Sequence, residues 1–331
     1  MMKLKQIFLT LSAVVLLAPQ WLLAQPQYMT EKPGTYSFYN NIKSKGAEYA
    51  AFGNAVKIVS DYFHQTIPVM KSNKGFDLSA ILFGQWDDEY KKIAGNYGIR
   101  GELRFDFQLF LKENGKAGKW TVEPPSWALD INNTQAGHGG NLKDGEKGSF
   151  LQQLFVVFPM VQQIAPGVDY YDCEERTCGS LVVFNPDRPP YWLPVTVREV
   201  VEAKLKFYNT GQDNKMLYDF IKPLVDKMGQ DELNAPAFNQ SDDGILRVNG
   251  KNDGLQIMRF NPDYWDRTLP PSAVQFITII GFSEFGLGNK TADDQKNADA
   301  EFLRHNSHPN YADLVKNSLS IKDLAKLITK K

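Results

Sequence analysis

The chain has 331 residues, 43% hydrophobic, 12% aromatic and 23% charged, with 37 basic residues against 38 acidic ones. That apolar content suffices for a packed core, and the length suits one large or two medium domains. A net charge of −1 supplies no basic face for nucleic acid or an anionic membrane surface, so neither is expected as a partner.

Residues 1–24 read as a signal peptide. Lys3 and Lys5 give a short positive start, an apolar run follows over 7–18, and Trp21-Leu22-Leu23-Ala24 offers a cleavage site. The apolar run falls short of the roughly 18 residues that span a bilayer, and Pro19-Gln20 breaks it. Cleavage there leaves 35 basic against 38 acidic residues, a net charge of −3. No later stretch is apolar enough to span a membrane, so a secreted chain, periplasmic in a Gram-negative bacterium, is expected. In a eukaryotic host, Asn132, Asn239 and Asn289 would be glycosylation acceptors by motif.

After a polar lead-in over 25–41, the apolar positions of 46–65 (Phe52, Val56, Val59, Phe63) predict an amphipathic helix ending before Pro68. Residues 78–86 predict a strand. Residues 99–112 alternate most clearly, with Leu103, Phe105, Phe107 and Leu109 on one face and Arg104, Asp106 and Gln108 on the other. A turn at 114–116 starts a return strand. Residues 124–148 show no apolar period and predict a long functional loop.

Residues 150–160 and 180–184 predict buried strands. Between them, Cys173 and Cys178 are the only cysteines. In an oxidising compartment they predict a disulfide across a tight loop. Their spacing is wider than Cys-x-x-Cys and no second ligand pair exists, which disfavours a redox pair or half a metal site. Thr196 with Glu199 predicts a capped helix over 197–208, and a second helix over 214–228 is interrupted at Pro223. Short strands over 233–248, strands at 255–260 and 272–282, and helices at 291–303, 312–319 and 321–328 complete the chain.

One motif recurs. Phe184-Asn185-Pro186-Asp187 precedes Tyr191-Trp192 and Leu193-Pro194, and Phe260-Asn261-Pro262-Asp263 precedes Tyr264-Trp265 and Leu269-Pro270. Each copy closes a strand at a turn that Asn and Pro favour. The echo predicts an α+β fold of two helix-on-antiparallel-sheet units, cystatin-like in layout and related by duplication. The units would cover 25–194 and 195–331.

No catalytic or cofactor signature stands out. Residues 281–286 have the wrong spacing for a nucleophile elbow. His305 and His308 lack the helical spacing of a zinc site, and the loop 239–250 lacks the terminal Glu of a calcium loop. Neither metal nor cofactor is expected. The aromatic corners Tyr191-Trp192 and Tyr264-Trp265 are the first candidates for contact with a protein or glycan. The competing reading has these rings buried as plugs at the sheet ends. Trp127 and His138 of the 120–148 loop are the second candidates, with His138 held between glycines. The expected role is therefore non-catalytic binding by a secreted protein. The alternative is a secreted hydrolase using His138, Asp130 and other acids in a cleft between the halves.

Overall fold

The computed structural model describes residues 27–84, 97–113, 115–120, 123–134, 155–157, 161–171, 179–209, 215–239, 248–249, 254–280 and 308–330. Residues 1–24, predicted as a signal peptide, the predicted disulfide pair Cys173 and Cys178, and His138 lie outside them. The described elements form a mixed α+β structure built on two sheets. Among them, no helix is long and apolar enough to cross a membrane.

The ten-stranded sheet runs β2 (Tyr36–Asn40), β3 (Phe76–Gly84), β4 (Gly101–Glu113), β6 (Ser126–Ile131), β15 (Phe276–Ile280), β10 (Ser180–Phe184), β9 (Val168–Tyr171) and β8 (Val161–Ala165). The long β4 also pairs with β1 (Gln27–Tyr28) and β5 (Lys116–Lys119). Among the described strands, only β2 and β3 pair in parallel, because the helices α1 (Ala47–Thr66) and α2 (Pro68–Ser72) carry the chain between them. Phe52, Val56, Val59 and Phe63 recur along one stripe of α1 and are buried in the core of this sheet. Ile67 is the extended break after α1, and Pro68 opens α2 at its first position, where a missing N–H is harmless. The C-terminal helices α6 (Tyr311–Asn317) and α7 (Ile321–Leu324) join the same core through Tyr311, Val315 and Leu324.

The predicted loop over 124–148 contains a central strand. Trp127, Leu129 and Ile131 of β6 alternate into the core, and β6 pairs with β4 and β15. Flanking Pro, Asn and Gly residues hide that short alternation in the sequence.

The five-stranded sheet is built on β14 (Leu255–Phe260), which pairs with β11 (Trp192–Pro194), β12 (Phe238–Asn239) and β7 (Val156–Val157); β13 (Val248–Asn249) extends β12. Helix α3 (Val197–Tyr208) covers it, packing Val197, Val200 and Val201 against Ile257, Ala237 and Phe155. The expected capping box is present: Glu199 N–H donates to Thr196 Oγ1 at 3.2 Å and Thr196 N–H to Glu199 Oε2 at 2.8 Å. Thr196→Ala should therefore lower stability by about 1 kcal/mol, measured by urea unfolding. Helices α4 (Lys215–Val225) and α5 (Gln230–Asn234) follow α3.

The repeated motif marks where the chain changes sheets. It leaves the large sheet at the end of β10, turns at Asn185, and enters the small sheet as β11. It leaves the small sheet at the end of β14, turns at Asn261, and returns as β15 beside β10. Both turns close alike. Asp187 N–H donates to Asn185 Oδ1 and Asp263 N–H to Asn261 Oδ1, each at 3.1 Å. Arg188 N–H reaches Asn185 O at 3.2 Å and Tyr264 N–H reaches Asn261 O at 3.0 Å. These are Asx turns nested in four-residue turns, which explains Asn followed by Pro at both places.

Candidate functional site

The two corners lock onto each other. Arg188 donates Nε to Tyr264 O at 2.7 Å, and Nη2 to Asp263 O at 2.9 Å and Trp265 O at 2.8 Å. Asn261 Nδ2 donates to Pro190 O at 2.7 Å, and Asn185 N–H to Tyr264 Oη at 3.0 Å. Tyr171, Val182, Tyr191, Trp192, Phe260, Tyr264, Trp265 and Phe276 fill the space between the sheets as one aromatic-rich cluster. Edge-to-face pairs such as Tyr191–Phe276 (5.4 Å) and Trp192–Phe260 (5.7 Å) hold it.

The two copies of the motif have different surroundings. Tyr264 and Trp265 are only 1% and 2% exposed, deep in the cluster. Tyr191 and Trp192 are also buried, yet both border a cavity of about 390 Å³. Phe184, Met258, Pro186, Pro189 and Pro190 form much of its apolar wall, and Gln163, Asp169 and Arg188 are its polar lining. Its size sits at the lower end of small-molecule sites. Gly167 holds the β8–β9 turn close to the first corner with φ 77°; a Cβ there would lie 2.6 Å from Phe184 O. No side chain is compatible with that approach.

Beside the cavity lies a buried hydrogen-bond chain. Strand β9 alternates, so Asp169 and Tyr171 share a face. Tyr191 donates its hydroxyl to Asp169 Oδ2, and the Tyr171 hydroxyl meets Tyr191 Oη, both at 2.5 Å. Burial raises the pKa of Asp169, only partly offset by the Tyr191 bond. Burial likewise raises Tyr171 and Tyr191, so both hydroxyls keep their protons at neutral pH.

The sign of this shift makes a prediction. An acid with a raised folded-state pKa binds its proton more readily when folded, so it destabilises the fold above that pKa and ceases to do so below the unfolded value. Asp169→Asn should unfold later than the parent protein in urea at pH 7. The gap should close as pH falls toward about 4, the ordinary Asp value. A gap that is constant with pH contradicts the assignment.

The remaining candidates fall elsewhere. Trp127 is 3% exposed, stacked on Phe105 at 5.5 Å in the large-sheet core. Asp130 on β6 lies directly opposite Glu102 of β4 and Thr278 of β15, with Asn133 Nδ2 3.3 Å from its Oδ1. His308 is buried among Tyr28, Trp120 and Tyr311, with Nδ1 2.8 Å from Pro309 O. Among the described residues, no three His, Cys, Asp or Glu side chains gather to hold a metal. His64 ends α1 stacked on Tyr36 at 3.9 Å, and burial lowers its pKa against the opposing pull of Asp61. Asp169 and Tyr171 escape the sequence reading. The one signal for them is a single acid set within the apolar and aromatic run Val168-Asp169-Tyr170-Tyr171.

No protein-family model, no curated protein and no solved structure matches this chain.

Proposed function

We propose that the chain is a secreted, periplasmic binding protein, not a catalyst, that takes a protein or glycan group at its first corner. The observation that carries this reading is the cavity of about 390 Å³ beside Tyr191 and Trp192, with the carboxylate of Asp169 in its lining. An apolar wall with a few convergent polar groups is the usual composition of a ligand pocket. The positive start, apolar run and Ala24 of the N-terminus support secretion, and the Cys173–Cys178 disulfide would suit that compartment. The helix on each sheet supports the cystatin-like layout. Descent of the two units by duplication rests on the repeated corner.

The reading is tested with glycan and peptide arrays. Gln163 is exposed and lines the cavity, so Gln163→Trp would fill it without entering the core. Array binding by the parent protein should disappear in this variant. Binding that survives Gln163→Trp places the ligand elsewhere.

A secreted hydrolase remains the second reading. One observation favours it: Glu102 and Asp130 sit directly opposite each other on β4 and β6, which puts two acidic side chains side by side on one face of the sheet. Turnover of a chromogenic ester or glycoside that Asp130→Asn abolishes would favour it over pure binding.

A further inference from the structure

The geometry points to a protonated amine as the group the first-corner pocket recognises. This rests on reading the cavity as a ligand site and adds the chemistry of its occupant. Three observations converge on it.

The first is the state of Asp169. The residue is 7% exposed. Among the described residues, its side chain accepts one hydrogen bond, from Tyr191 to Oδ2, and no Lys, Arg or His lies within ion-pair distance. A buried carboxylate with a single neutral donor is poorly compensated, since burial removes water without supplying an opposite charge. A cation arriving in the cavity would supply it.

The second is the direction of the proton chain. Tyr191 commits its proton to Asp169, so the Tyr171 hydroxyl must donate to Tyr191. The chain therefore ends on the carboxylate, and neither hydroxyl proton is directed at the cavity. Among the described residues, Arg188 is the only cationic side chain in the lining, and its Nε and Nη2 are fastened to the carbonyls of residues 263–265. The open oxygen is Asp169 Oδ1, an acceptor. A donor-rich group suits it, and an anion does not.

The third is the wall. Phe184, Tyr191 and Trp192 put aromatic rings in the lining beside the acid, a setting that favours an ammonium over a neutral group. Met258 and the prolines suit a short alkyl stem. The raised pKa of Asp169 is consistent with an acid waiting for its counter-ion, and amine binding should weaken as falling pH protonates it.

The test compares n-hexylammonium with hexanol, its neutral counterpart, by calorimetric titration of the full chain. Hexylammonium is expected to bind saturably and at least about tenfold more tightly than hexanol, as a charge-assisted hydrogen bond allows. Asp169→Asn should abolish that preference and leave the two probes equal in affinity, with near-ultraviolet circular dichroism confirming a native fold. Gln163→Trp should remove both ligands. Equal binding of the two probes, or an amine preference that survives Asp169→Asn, overturns the amine assignment and leaves the pocket standing. If neither probe binds, the amine assignment and the pocket reading both fall.

Discussion

Asn132→Ala is expected to leave little folded protein. Asn132 follows β6 and is completely enclosed. Its Nδ2 donates to Ile99 O and Ala273 O, each at 2.9 Å, and its Oδ1 accepts from Gln275 N at 2.8 Å and Phe276 N at 3.1 Å. One amide thus joins the entry to β4, the end of β6 and the return from the second corner into β15. Alanine strands four buried backbone groups, each at about 1–3 kcal/mol. It also meets a φ of 54°, where Asn is tolerated and Ala is strained. The combined loss, about 4 kcal/mol or more, approaches the whole stability of an ordinary domain. Half-buried Asn133 is the control, and its alanine variant should lose about 1 kcal/mol. Urea unfolding distinguishes the two. The same enclosure means that the Asn132 motif offers no reachable acceptor for glycosylation in the folded chain.

Tyr264→Ala is expected to cost about 3–5 kcal/mol, as for other large buried rings. Its hydroxyl accepts from Asn185 N at 3.0 Å and donates to Gln275 O at 2.6 Å, so it ties the first corner to the strand that leaves the second. The buried ring packs against Tyr191, Phe260, Trp265 and Phe276, so alanine leaves a cavity among them. Tyr264→Phe keeps the ring and strands only those two groups, for a smaller loss of about 2 kcal/mol. Asp187→Ala should change stability by less than about 0.5 kcal/mol, because its ion pair with Lys330 at 3.5 Å is exposed. An alanine at Tyr264 as mild as the one at Asp187 would mean the corners do not brace each other.

The elements with a strong local period were legible from the sequence. The stripe of α1, the alternation of β4, the capping box of α3 and the strands before both corners follow from side-chain spacing alone. What stayed hidden depends on long-range pairing. Strand β6 is six residues long between turn formers, and its central place comes only from pairing with β4 and β15. Likewise, β15 lies between β6 and β10 although much of the chain separates them. The motif's two copies were visible, and so was their turn chemistry. That they meet face to face was not, because Arg188 reaches carbonyls 75 to 77 residues away. Nor was the different surface available to each: identical Tyr-Trp pairs give no hint that Tyr191 and Trp192 line this cavity while Tyr264 and Trp265 do not. Asp169 was missed for the same reason, since its hydrogen-bond partner, Tyr191, comes from the corner before β11, 22 residues away.

The central claim is that the first corner is the ligand site and the second a structural plug. It is tested most directly by the indole N–H signals of the six tryptophans in a nuclear magnetic resonance titration with hexanol. The Trp192 signal should move saturably while those of Trp265 and Trp127 stay in place. A stationary Trp192 at saturating probe, or a Trp265 signal that moves in its stead, would contradict it.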